Sequence, residues 1–136
     1  MYETFAHTAD VGLRVRSPDV NTLFAEAGLG FFSLIVSNLS DVEPKSRVDF
    51  HVAGQDLAYL LVDWLNELLY AFESRRLLFR EFDVTVDQNG LTAVARGETV
   101  DEGRHVLDHE VKAVTYHGLK VEPVNGDWLA EVILDV

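Results

Sequence analysis

The chain has 136 residues, of which 48% are hydrophobic and 25% are charged, a balance typical of one folded domain rather than of a disordered segment. Aspartate and glutamate number 23 against 11 lysines and arginines, so the formal net charge is -12. Nucleic-acid affinity depends mainly on cationic side chains that displace counterions, so we expect no direct binding of naked RNA or DNA. A cation or a basic protein partner suits this charge better.

The chain has no cysteine, which excludes disulfides and thiolate metal sites and fits a reducing cytoplasm. Its start, "MYETFAHTAD", lacks the basic residues and apolar core of a signal peptide. Asp63, Asn66 and Glu67 interrupt the longest apolar stretch, so no membrane span is predicted. We therefore expect a cytoplasmic protein without a membrane association, and its oligomeric state is left open.

The first part of the chain is predicted to contain one or two extended segments followed by a helix. Residues 1–16 include the alternating run "VGLRVR", which is typical of a strand. The next stretch, "SPDVNTLFAEAGLGFFSLIVS", carries apolar residues at helical spacing, and Asp19 or Ser17 could cap it. Gly28 and Gly30 lower the intrinsic helix propensity, so close packing must stabilise this helix.

The same order begins again after Pro44. "RVDFHV" is expected to be a strand, and Asp56 to cap a helix over "LAYLLVDWLNELLYAFE". The apolar stripe of this helix is interpreted as core rather than as a partner surface. Two strand runs follow, "LLFREFDVTVD" and "LTAVARGETV", and the Asn89-Gly90 pair between them predicts a primed hairpin turn.

Three further strands are predicted beyond His105, namely "LDHEVKAVTY", "LKVEPV" and "DWLAEVILDV", with a tight turn at Asn125-Gly126. The order of these elements predicts a single α+β domain of two strand-helix-strand-strand modules. The inner module, at about 46–101, is inserted in an outer module made of 1–45 and 102–136. Two main helices would pack on a mainly antiparallel sheet.

The familiar catalytic motifs are missing from the chain. The five histidines show no zinc-site spacing, and there is neither a Gly-x-Ser-x-Gly elbow nor a Walker-type phosphate loop. His105 and His109 lie in charge-rich stretches and are predicted to be exposed loop residues. Arg75, Arg76 and Arg80 form a basic cluster that we interpret as a solvated helix end near the negative pole of the helix dipole.

Asp10, in "HTADVG", and Asp135, in the terminal "EVILDV", are the candidate metal ligands. Taken separately, Asp10 could cap a turn, and Asp135 could occupy the outward face of the last strand. If the first and last segments are neighbours, however, the two side chains and the α-carboxylate of Val136 supply three oxygen groups to one point. Close like charges are costly unless a cation joins them, and oxygen ligands favour calcium, magnesium or manganese over zinc.

Four stretches in this order, "HTADVG", "LLVDWLNELLY", "KAVTYH" and "ILDV", span nearly the whole chain and resemble the archease family. The resemblance implies a small acidic accessory protein that activates RtcB-type RNA ligases in tRNA splicing and RNA repair. Archeases promote guanylylation of the ligase and its multiple turnover, and are not expected to catalyse a reaction of their own.

The resemblance also implies a metal site at Asp10, Asp135 and Val136, with calcium as the usual ion. Lys112, Tyr116 and His117 either contact the ligase or merely end a strand. Two other functions stay open at this point: a small metal-dependent hydrolase, in which the metal activates water, and a chaperone-like interaction module.

Overall fold

The computed structural model describes residues 1–7 and 10–136, and of His7 it describes the backbone but not the side chain. The described residues form two α-helices, eight strands and a short 3₁₀ turn at Leu39–Asp41. The helices are α1 (Val20–Ile35) and α2 (Leu57–Arg75). The strands are β1 (Tyr2–His7), β2 (Asp10–Ser17), β3 (Ser46–Ala53), β4 (Leu77–Asp87), β5 (Gly90–Thr99), β6 (Ala113–Val114), β7 (Lys120–Val124) and β8 (Asp127–Asp135).

The strands form two antiparallel sheets. One sheet has the order β1-β2-β8-β6, and β7 also pairs with β8; the other has the order β3-β5-β4. Each helix contacts strands of both sheets. The predicted α+β class, with two helices packed on antiparallel sheet, is therefore confirmed.

The first helix begins at a side-chain cap and packs through its glycines. Asp19 is the N-cap, and its carboxylate accepts a hydrogen bond of 2.8 Å from the backbone N–H of Thr22. A Cβ at Gly28 would lie 2.9 Å from the ring of Phe82 on β4, and one at Gly30 would lie 2.5 Å from Leu13 on β2. The expected close packing of α1 is confirmed, and it explains why both glycines are tolerated inside a helix.

The second helix contributes its apolar stripe to the core. Asp56 caps it by accepting hydrogen bonds from the N–H groups of Ala58 and Tyr59. The indole N–H of Trp64, which is fully buried, donates to the carbonyl oxygen of Phe24 on α1 at 3.0 Å. The interpretation of this stripe as core is thus confirmed. Within the described residues, no helix is long and apolar enough to cross a membrane.

The two predicted hairpin turns have different outcomes. Asn125 and Gly126 have φ values of 52° and 87°, as a primed turn requires, and they join β7 to β8. The tight hairpin between β4 and β5 is present as predicted, but the prediction of a primed turn was wrong, because the two loop residues are Gln88 and Asn89 and neither has a positive φ. Gly90 instead pairs with Asp87, whose carboxylate accepts hydrogen bonds from the N–H groups of Asn89 and Gly90.

The segment after β5 also differs from the prediction. The expected strand "LDHEVKAVTY" is reduced to the two residues of β6, with an isolated bridge between Val36 and Leu107. The prediction of an exposed His105 was wrong, since only 3% of this residue is exposed. His109 is exposed, as expected.

Candidate metal site

Strand pairing places the first and last segments of the chain side by side. β2 and β8 are antiparallel neighbours, and their register sets Asp10 directly opposite Asp135. Directly opposed residues of an antiparallel pair project to the same face, with Cβ atoms about 4.5–5.5 Å apart. The condition on which the metal hypothesis depends, that the two segments are neighbours, is therefore met.

Burial of the other face fixes this register. Val15 and Leu13 of β2 and Val132 and Leu134 of β8 face the core, and each is at most 1% exposed. A slip of one residue would turn all of these side chains towards solvent, so the alternation strongly specifies the pairing. The same alternation sends Asp10 and Asp135 to the outer face of the sheet, where both residues are half-buried.

Two further strands place residues directly beside the two aspartates in the sheet. His7 of β1 pairs with Asp10, and Ala113 of β6 pairs with Asp135. The N–H group of Lys112 donates a 2.7 Å hydrogen bond to the backbone carbonyl oxygen of Asp135. Thr8 and Ala9 of the "HTADVG" motif lie outside the described residues.

Val136 follows immediately after β8 and is half-buried against the hydrophobic core. Its apolar side chain therefore anchors the residue that follows Asp135 in the chain. The structure brings Asp10 and Asp135 together through strand pairing, and Val136 adjoins Asp135 in the chain.

The guanidinium of Arg14 lies on the same face of β2 but is engaged elsewhere. It donates to Glu131 at 2.8 Å and to Glu3 at 2.9 Å, and it lies 4.6 Å from the centre of the Phe5 ring. These two hydrogen bonds raise the pKa of Arg14. Arg14, which lies four residues after Asp10 on this face, is thus paired with the carboxylates of Glu131 and Glu3.

Side chains alone do not form a complete metal cage in the described part of the chain. Among residues 1–7 and 10–136, no group of three or more histidine, aspartate or glutamate side chains is placed to hold a metal ion. A site at Asp10 and Asp135 would therefore need further oxygen ligands, such as the Val136 carboxylate. Metal binding stays a prediction.

A second charged cluster, which the sequence did not predict, surrounds Glu98 of β5. Glu98 is 2% exposed and accepts hydrogen bonds from the backbone N–H of Glu43 at 2.6 Å and from the guanidinium of Arg104. The ammonium of Lys45 lies 3.5 Å from the same carboxylate. The cluster connects β5 to the segments that precede β3 and follow β5.

His105 completes this buried cluster in a defined tautomer. Its Nδ1 accepts a hydrogen bond of 2.9 Å from the N–H of Asp101, so the ring proton resides on Nε2. Nε2 lies 3.1 Å from the Glu98 carboxylate and donates to it. Burial opposes ionisation of Glu98, but the hydrogen bonds from Arg104, Glu43 and His105 outweigh it and lower the pKa of Glu98 to about 2.

The remaining charged and polar candidates lie elsewhere on the surface. Tyr116 is exposed, and its ring packs edge-on against Tyr59 of α2. Arg76 ends α2 in a left-handed conformation and covers the ring of Phe72, while Arg80 donates to the carbonyl oxygen of Val42 at 3.2 Å. Arg76 thus caps the end of α2, whereas Arg80, which was predicted at the helix end, lies on β4.

The fold and the paired aspartates define a small acidic α+β protein with two helices on two antiparallel sheets and a candidate cation site where β2 meets β8. The model of the Archease protein family (MTH1598/TM1083) matches residues 2–136. The chain belongs to the archease family.

Curated relatives named protein archease match over nearly their whole length. The chain is 41% identical to that of Methanopyrus kandleri, with 99% of both chains covered. It is 36% identical to that of Pyrococcus furiosus, with 99% of this chain and 98% of the relative covered.

Two solved structures share the fold. The solution structure of protein 1598 from Methanobacterium thermoautotrophicum has a TM-score of 0.87 and 36% identity, and covers 99% of this chain and 98% of that one. The crystal structure of a Thermotoga maritima archease, described as a possible chaperone, has a TM-score of 0.67 and 16% identity, and covers 100% of this chain and 98% of that one. At that identity, the second likeness concerns the fold alone.

Proposed function

We propose that this protein is a cytoplasmic accessory factor that binds a divalent cation and activates an RtcB-type RNA ligase. It would promote guanylylation and multiple turnover of the ligase in tRNA splicing or RNA repair, without a reaction of its own. The observation that carries the proposal is the register that sets Asp10 opposite Asp135 at one end of the β2–β8 pair.

The chemistry of the donor groups fits a hard cation. The two side-chain carboxylates and the α-carboxylate of Val136 are all oxygen ligands, which favour calcium, with magnesium or manganese as alternatives. A bound ion would offset the repulsion between these neighbouring negative charges. The chain's own contribution is to hold the carboxylates in place through paired strands whose other face is buried.

The charge of the chain supports a protein partner over a direct RNA contact. At a net charge of -12, the surface repels phosphate backbones and attracts a basic protein surface. The RNA would then be handled by the ligase, and the archease would act on the ligase. Family membership supports this choice of partner.

The test is RNA joining by a purified RtcB-type ligase under multiple-turnover conditions, with and without the protein. We expect the wild type to raise the number of turnovers and Asp10→Ala or Asp135→Ala to abolish that increase. Asp83→Ala is the matched control, because Asp83 is an exposed carboxylate on the other sheet. Absence of stimulation by the wild type would refute the activator role, whereas stimulation that survives both substitutions would refute only the role of the metal.

A short C-terminal extension tests the third ligand. Adding residues after Val136 converts its carboxylate to an amide, and we expect calcium affinity to fall. An extended chain that binds calcium as tightly as the wild type would remove Val136 from the site. Release of product from phosphoester substrates in the absence of any ligase would instead support a hydrolase.

A further inference from the structure

Three of the four tyrosines of the chain are largely exposed and lie on one side of the molecule. Tyr59 and Tyr116 are each 59% exposed, and Tyr70 is 68% exposed. Large aromatic residues are usually at least partly buried, and tyrosine is enriched among the residues that dominate protein interfaces. Their grouping on and beside α2 therefore indicates a surface with a role in binding.

The helix presents two of these tyrosines on a single stripe. Tyr59, Asp63, Asn66 and Tyr70 follow one another at i, i+4, i+7 and i+11, and all four are exposed. This is the spacing at which helical residues share one face, and it puts the two tyrosines about 16 Å apart along the helix axis. The stripe lies opposite the one that α2 buries in the core.

A groove accompanies each tyrosine. The rings of Tyr59 and Tyr116 have centroids 5.8 Å apart and meet at 68°, and they line an open groove of about 460 Å³ with Asp56. Tyr70 lines a second groove, of about 400 Å³, between α2 and β3, together with Phe50. Both grooves combine aromatic surface with neighbouring carboxylates: Asp56 lines the first groove, and Asp49 and Glu67 line the second, where Arg75 lies at the end of the helix.

The negative charge of this face of α2 favours a basic binding partner. Asp63, Glu67 and Glu73 are exposed along α2, and the helix contains no lysine or arginine before Arg75. A second copy of this chain would bring another net charge of -12 and would be repelled. A segment with arginines or lysines is attracted instead, because it can pair with the carboxylates and lie over the tyrosine rings.

We propose that the exposed face of α2, extended by Tyr116, is a docking surface for an arginine- or lysine-bearing segment of a partner protein. Tyr59 and Tyr70 are the two anchors, and the carboxylates between them set the preference for basic residues. This surface shares no residue with the Asp10–Asp135 pair. The proposal of a docking surface can therefore be tested independently of the proposed metal site and ligase activation.

The test uses the full chain, labelled with ¹⁵N, and a capped helical alanine-based peptide with arginine at i, i+4, i+7 and i+11 as the probe. At about 0.15 M salt, where weak long-range attraction is largely screened, we expect amide shifts to concentrate in α2 and around Tyr116. Replacing Tyr59 or Tyr70 with alanine should weaken binding about fivefold, the effect expected from losing one cation–π contact. Tyr59→Phe should retain binding, because it keeps the ring.

Charge controls separate this surface from general attraction to an acidic protein. Glu67→Gln should weaken binding of the peptide, whereas Glu81→Gln, the same change at an exposed position on β4, should not. The proposal is overturned if the peptide does not bind, if its shifts spread over the whole surface, or if the two glutamine variants weaken binding equally.

Discussion

Two regions of this protein hold carboxylates in opposite ways. Glu98 is almost completely buried, and the chain itself supplies its partners: the N–H of Glu43, the guanidinium of Arg104 and the imidazole of His105. Asp10 and Asp135 are half-buried and stand opposite each other on paired strands, so that each is the cross-strand neighbour of a like charge.

The comparison distinguishes a structural charge from a candidate ligand. A buried carboxylate that receives several hydrogen bonds is stabilised in its ionised form and binds segments of the fold together. Two opposed carboxylates weaken the strand pair that carries them unless a cation joins them. On this basis the Glu98 cluster serves the fold, whereas the Asp10–Asp135 pair remains a candidate for cation binding.

The largest expected effect comes from removing the buried carboxylate. Glu98→Ala leaves the guanidinium of Arg104 without its buried partner and removes the acceptor of the His105 ring proton. Loss of one partner of a buried ion pair typically costs about 3–5 kcal/mol, and the lower end of this range applies because Arg104 is partly exposed and keeps its hydrogen bond to Asp101. We expect the free energy of unfolding, measured in urea, to fall by that amount.

Glu102→Ala is the control for this variant, because Glu102 is an exposed glutamate in the segment between β5 and His105. Its free energy of unfolding should change by less than about 0.5 kcal/mol, as is usual for surface positions. Equal effects of the two substitutions would show that the Glu98 cluster does not stabilise the fold.

A smaller effect is expected on lowering the pH. The pKa of Glu98 falls from 4.5 to about 2 on folding, so its ionisation stabilises the protein fully above pH 4.5 and this contribution is lost as the pH falls towards 2. A shift of this size corresponds to about 3 kcal/mol. Urea unfolding of the wild type across this pH range should show the loss, and Glu98→Gln should show a correspondingly flatter dependence. Identical slopes for the two proteins would contradict the assignment.

The smallest effect is expected at the opposed aspartates in metal-free protein. Asp135→Asn removes one of two like charges that face each other across the strands, which should raise the free energy of unfolding by up to about 0.5 kcal/mol. Asp83→Asn, at an exposed position opposite Val94, should have no such effect. A loss of stability in Asp135→Asn without metal would indicate that Asp135 has a structural role instead.

The elements could be predicted from sequence where the local pattern determined the structure. The stripe of α2 and its Asp56 cap follow from residue spacing and capping chemistry, and the Asn125-Gly126 turn follows from two residues that tolerate positive φ. The same dipeptide at Asn89-Gly90 does not form a primed turn. The strand register pairs Gly90 with Asp87, and the side chain of Asp87 stabilises the turn.

Features that depend on contacts between distant segments could not be predicted from local sequence patterns. Nothing in the alternation of β5 distinguishes the buried Glu98 from the partly exposed Arg96, and the charge around His105 suggested an exposed loop. Burial of Glu98 and His105 depends on segments that are distant in sequence. The pairing of Asp10 with Asp135 is equally non-local, so the sequence supplied the candidate residues and the sheet supplied their proximity.

The most direct test of the central claim is a calorimetric titration of calcium into the metal-free protein and into its Asp10→Asn and Asp135→Asn variants. We predict one binding event in the wild type that either substitution abolishes or weakens strongly. Calcium binding of equal strength in all three proteins, or none in the wild type, would contradict the claim that these opposed carboxylates hold a cation.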